Sequence, residues 1–192
     1  MHGFSLTLAP MKKVFDPRRL DVKAFAAEAG RLAGEERMGA HARLMAETEG
    51  RGVESSLAWS ATGELRNPQH VHPEVWLRLQ ASAVFPLTCQ RCLGPVEVPV
   101  AVDRPFRFVE DEPTALAQDD ASEEDLLALS RSFDLVELIE DELLMDLPVA
   151  PRHQVCPEPV KLAVADDGFE AEPAKKENPF ALLQRLKSGK PG

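Results

Sequence analysis

The chain has 192 residues, 44% of them hydrophobic, which suits one core with an appended arm rather than two full domains. No apolar run reaches the roughly 20 residues a membrane-spanning helix needs, and 3 cysteines, an odd number, do not make a disulfide framework. The net charge of −10 opposes general phosphate binding, and the absence of tyrosine leaves no evident platform for stacking bases.

The acidity is uneven. Residues 103–146 hold 3 basic against 15 acidic side chains, whereas residues 175–192 hold 5 against 1. Basic partners therefore suit the body of the protein, and RNA contact suits the tail. At the start of the chain, Lys12 and Lys13 follow a short apolar run, the reverse of a secretory signal, so a cytoplasmic location is expected.

Along the chain, Phe4, Leu6 and Leu8 alternate with polar residues as in a short strand. Asp21 is a plausible N-cap for a helix with Phe25, Ala29 and Leu32 on one face. A second short helix is expected between Gly39 and Glu49. Strict alternation then appears in Val53–Ala61 and again in Val75–Ala83, and Val96, Val98, Val100 and Val102 repeat it, with Phe106 and Phe108 continuing that face after a break. Pro99 and Pro105 lack ladder donors, which marks an edge or bulged strand. Three or four antiparallel strands are the expectation.

Residues 110–125 are acidic and poor in large apolar groups, so they read as a flexible loop. Ser132–Leu147 reads as one long acidic helix packed on the sheet. Asp134 and Glu137 resemble a capping box, Leu135, Leu138, Ile139 and Leu143 form a stripe, and Pro148 ends the helix. Proline-rich residues 148–176 read as an extended connector. Asn178-Pro179 then opens a final helix with an apolar side of Phe180, Leu182, Leu183 and Leu186 and the cations Arg185, Lys187 and Lys190. The fold expected is α+β: a small antiparallel sheet, one long helix on it, and short N- and C-terminal helices. Residues 1–150 would form a single domain, and residues 151–192 the connector and basic helix.

Chemistry concentrates at Cys89-Gln90-Arg91-Cys92, the predicted tip of a hairpin. A two-residue spacer lets both sulfurs reach one tetrahedral zinc, and His153-x-x-Cys156 offers a nitrogen and a third sulfur at the same spacing. About sixty residues separate the halves, so folding would have to join them. The plain alternative is a pair of buried cysteines in a turn, with His153 a solvated loop residue. Redox chemistry of the thioredoxin kind needs a thiol at a helix N-terminus, and Arg91 alone is a weak activator. The histidines and carboxylates form no catalytic cluster, so no enzymatic activity and no small-molecule substrate are expected. No cofactor is expected other than zinc at the four-residue set. Arg185, Lys187 and Lys190 are the residues expected to meet a partner, while the apolar side of that helix would cap the protein's own sheet or fill a partner's groove.

Three ordered features carry a family resemblance. They are Leu87-Thr88-Cys89-Gln90-Arg91-Cys92 after a strand, the helix from Asp134-Leu135 to Glu142-Leu143-Leu144-Met145-Asp146-Leu147-Pro148, and Asn178-Pro179-Phe180-Ala181-Leu182-Leu183 with Leu186-Lys187. Together they resemble the YceD-like family, large ribosomal RNA subunit accumulation proteins. The resemblance implies a non-catalytic factor in synthesis, processing or stability of large-subunit (23S) ribosomal RNA. Its partners would be pre-ribosomal RNA, basic ribosomal proteins, or both. Some family members carry further cysteines after the proline that ends the long helix; His153 and Cys156 stand there in this chain. A different class stays open, a zinc- or thiol-dependent regulatory protein using the Cys89/Cys92 turn.

Overall fold

The structure is a computed structural model and describes residues 14–157. Five strands lie in chain order in one sheet: β1 (Arg31–Arg37), β2 (Ser56–Arg66), β3 (Glu74–Thr88), β4 (Pro95–Val109) and β5 (Asp125–Ala128). Neighbours from β1 to β4 are antiparallel, and β5 runs parallel to β4, with Phe106 opposite Asp125. Among the described residues four α-helices accompany it: α1 (Val22–Ala27), α2 (Ala42–Glu47), α3 (Glu112–Asp119) and α4 (Leu135–Met145).

These elements correct the expected architecture. The sheet is mixed and five-stranded, not a small antiparallel one. A parallel pair needs a crossover of a dozen or more residues, and residues 110–124, expected as a loop, supply it. Within them α3 is started by Asp111, whose carboxylate accepts from the Thr114 N–H, with Pro113 in the first turn. The helix expected over Ser132–Leu147 is not long, because α4 has 11 residues. Asp134 caps it by accepting from the N–H groups of Val136 and Glu137, while Phe133 just before it forms a β-bridge with Leu20. In place of the one helix expected through Leu32, the chain ends α1 at Ala27, turns through Ala29 at φ 44°, and continues as β1. The Phe4–Leu8 strand and the helix after Pro179 lie outside the described residues.

The strand alternation works as the pattern dictates. Leu57, Ala61, Leu77, Leu79, Phe85, Val100, Val102 and Phe106 point to one face and join Leu20, Phe25, Leu135, Ile139 and Leu143 in a single core. The break noted after Val102 is Arg104, which lies on this inner register. Its Nε is 3.1 Å from Oε2 of Glu142 on α4, and Glu142 is only 5% exposed. That oxygen accepts no aligned hydrogen bond, so the pairing is an ion contact alone.

Burial pushes the Glu142 carboxyl above its ordinary range; Arg104 opposes this, and Asp125, Asp141 and Asp146 add to it. The folded value therefore lies above the unfolded one. The stability this proton linkage contributes is full below the ordinary carboxyl value of 4.5 and is lost as pH rises through the folded value. Glu142→Gln should accordingly unfold at higher urea concentration than wild type at pH 7, and the gap should close at pH 4. Urea titrations at the two pH values check this, and a larger gap at pH 4 would contradict it.

Candidate metal centre at the hairpin tip

Strands β3 and β4 form the longest hairpin, and its connection is Cys89–Gly94. The turn is closed by Cys89 N–H donating to the Gly94 carbonyl (2.8 Å) and Leu93 N–H donating to the Cys89 carbonyl (2.9 Å). Leu93 takes a left-handed φ of 60°, which bends the chain tightly enough to set Cys92 back beside Cys89. After α4, Pro148 directs the chain back toward this turn. The Gln90 N–H donates to the Pro151 carbonyl at 2.8 Å, so one backbone bond joins the two halves that the sequence separates.

The consequence is a four-residue cluster. The sulfurs of Cys89, Cys92 and Cys156 and a ring nitrogen of His153 all lie within 4.8 Å of one another. Cys92 Sγ is 3.4 Å from His153 Nδ1, and His153 Nε2 is 2.9 Å from the Pro95 carbonyl oxygen. A carbonyl can only accept, so Nε2 carries the proton and Nδ1 presents its lone pair to the cluster. A carbonyl partner on the far nitrogen is the usual support of a metal-bound histidine. In tetrahedral zinc with Zn–S of about 2.3 Å and Zn–N of about 2.0 Å, neighbouring donors are about 3.5–3.8 Å apart. The Cys92–His153 pair, at 3.4 Å, is already close to that spacing, and no separation in the cluster needs a contraction of more than about 1 Å. The residues fit the ion.

Cys89 is fully buried, and Cys92 and Cys156 are half-buried. Burial works to raise the Cys89 thiol, but the backbone N–H groups of Cys92, Arg91 and His153 outweigh it and hold the group down to about 5. For Cys92 the Gly94 N–H favours the thiolate, yet burial and the adjoining sulfurs of Cys89 and Cys156 prevail and push it up. Between these two sulfurs, thiolate character is centred on the more enclosed one.

Arg91, a weak activator by sequence position alone, reaches across to the second half of the cluster. Its Nε donates to Cys156 Sγ at 3.1 Å, and its NH2 group donates to the carbonyls of His153 (2.6 Å) and Gln154 (3.3 Å). A cation between two cysteines was visible in the sequence, but its target was not. His153 also lines a cavity of about 880 Å³, together with Pro95, Pro99, Pro151 and Val155. Arg185, Lys187 and Lys190 lie outside the described residues, so their expected role in partner binding gains no geometry here.

Fold and site together define a class: an α+β protein whose longest hairpin ends in a closed three-cysteine, one-histidine donor set, with all four positions filled by protein. The family follows from comparison with known proteins. The family model described as large ribosomal RNA subunit accumulation protein YceD matches residues 77–187, and the chain belongs to that family. The matched span contains the whole cluster. No solved structure matches the chain. The family description ties the protein to accumulation of large ribosomal subunit RNA, and no helix among the described residues is long and apolar enough to cross a membrane.

Proposed function

We propose that the protein is a non-catalytic ribosome-assembly factor that supports synthesis, processing or stability of the 23S ribosomal RNA. The family match over residues 77–187 carries this reading. The acidic body disfavours wrapping by RNA and favours basic ribosomal proteins, whereas Arg185, Lys187 and Lys190 bring the charge that meets phosphate. Removing the gene should lower 23S relative to 16S ribosomal RNA, and the intact gene should restore the ratio. A copy with alanine at 185, 187 and 190 should restore it only in part. An unchanged 23S to 16S ratio in the deletion strain would sink the reading.

The donor cluster favours a second component of the same reading, a structural zinc held by Cys89, Cys92, His153 and Cys156. Zinc would supply a crosslink between the hairpin tip and the segment after α4, a role that requires no open coordination position. The same site would make the protein responsive to metal supply or to oxidation of its thiols.

A further inference from the structure

We infer that Arg91 is a positioning residue for the cluster, holding Cys156 in place as the fourth ligand and balancing its charge. This rests on the zinc reading above. Three of the donors are well anchored without Arg91. Cys89 and Cys92 belong to the closed turn, and His153 is fixed through Nε2 by the Pro95 carbonyl. Cys156 has no comparable anchor: the described residues give its side chain one hydrogen bond, from Arg91 Nε at 3.1 Å. The same guanidinium also holds the carbonyls of His153 and Gln154, so one planar fork fixes the whole limb that delivers Cys156.

The charge argues in the same direction. Three thiolates around a divalent ion leave the site at −1, and a guanidinium hydrogen-bonded to one sulfur brings it to zero. Arg152, on the same limb, donates to none of the three sulfurs among the described residues. Lysine at position 91 would keep the charge but could not span a sulfur and two carbonyls at once.

The test uses the full chain with zinc, in competition with a chromophoric chelator, and with cobalt(II) as a spectroscopic substitute. Arg91→Met should bind zinc about 10- to 100-fold more weakly. Its cobalt complex should lose about a third of the thiolate charge-transfer intensity, matching Cys156→Ser, because two thiolates remain of three. Arg91→Lys should fall between wild type and Arg91→Met. Adding Arg91→Met to Cys156→Ser should change affinity by less than about 2-fold, because the residue acts through that sulfur.

Wild-type affinity and spectrum in Arg91→Met overturn the inference, and so does an equal loss in both backgrounds, which would mark Arg91 as a support for the turn alone. If Arg91→Met does not fold, as judged by circular dichroism, Arg91→Lys decides, and an unaltered affinity and spectrum there reject the fork. A wild-type protein that takes up neither metal defeats the zinc reading itself and this inference with it.

Discussion

Serine in place of Cys89 should reduce the zinc content of the purified protein from about one per chain to under about 0.1. Cys89 is the fully enclosed donor, and nearby backbone N–H groups hold its thiol down to about 5. A serine hydroxyl does not ionise near neutral pH and cannot replace a thiolate ligand. The sheet has its own core, so loss of the metal should not unfold the molecule as it does a small zinc finger. The damage should fall on residues 151–156, whose ties to the hairpin are the Gln90–Pro151 bond, the Arg91 contacts and His153. Trypsin should then cut after Arg152 much faster than in wild type, while far-ultraviolet circular dichroism stays close to wild type. A Cys89→Ser protein that retains stoichiometric zinc would refute the assignment.

Phe25→Ala should cost about 3–5 kcal/mol of unfolding free energy, the range for emptying a buried aromatic site. The ring is completely buried and meets Phe15 edge-on, with centroids 5.1 Å apart. It also fills the space that two glycines leave open. A Cβ at Gly30 would fall 2.2 Å from the ring, and a Cβ at Gly63 would fall 2.7 Å from it and 2.9 Å from the Ala26 backbone. These glycines let α1 lie directly on β2. Gly63→Ala alone should therefore cost about 1–3 kcal/mol through overpacking. The double variant should be less unstable than the sum, because the new methyl enters space the ring has vacated. Denaturant titrations of the three variants measure this, and strict additivity would show that the ring and the glycine do not share that space.

Parts of this architecture were legible because local pattern and tertiary role agree. The apolar positions from Val75 to Ala83 and from Val96 to Val102 face the core as their period predicts. Asp21 and Asp134 cap the helices they precede. Other parts depend on distant partners. Arg31–Arg37 has Leu32 as its one large apolar residue, and it becomes a strand because β2 offers it an edge. Asp125–Ala128 is four residues with no alternation inside an acidic stretch, and it pairs with β4 only after α3 carries the chain across. Phe133 looks helical until Leu20 supplies a bridge.

The candidate site divides in the same way. The spacing of Cys89 with Cys92 and of His153 with Cys156 was readable. That the two pairs meet was not, because it depends on the return of the chain to the hairpin and on the Gln90–Pro151 bond. Arg91 illustrates the limit at a single residue: its charge is written in the sequence, and its acceptors come from 62 to 65 positions away.

The order β1-β2-β3-β4-β5 is also the order in which a ribosome would release the strands. Each antiparallel neighbour is already waiting when the next strand emerges, so the hairpins can pair during translation. The donor set cannot close then, because His153 follows Cys92 by 61 residues. At about 5–20 residues per second that is a delay of about 3–12 s, during which Cys89 and Cys92 stand at the tip of a finished hairpin with the other half of the donor set unmade. Closure of the cluster thus reports that synthesis has passed α4, and a chain truncated before that point would carry the sheet but not the seal.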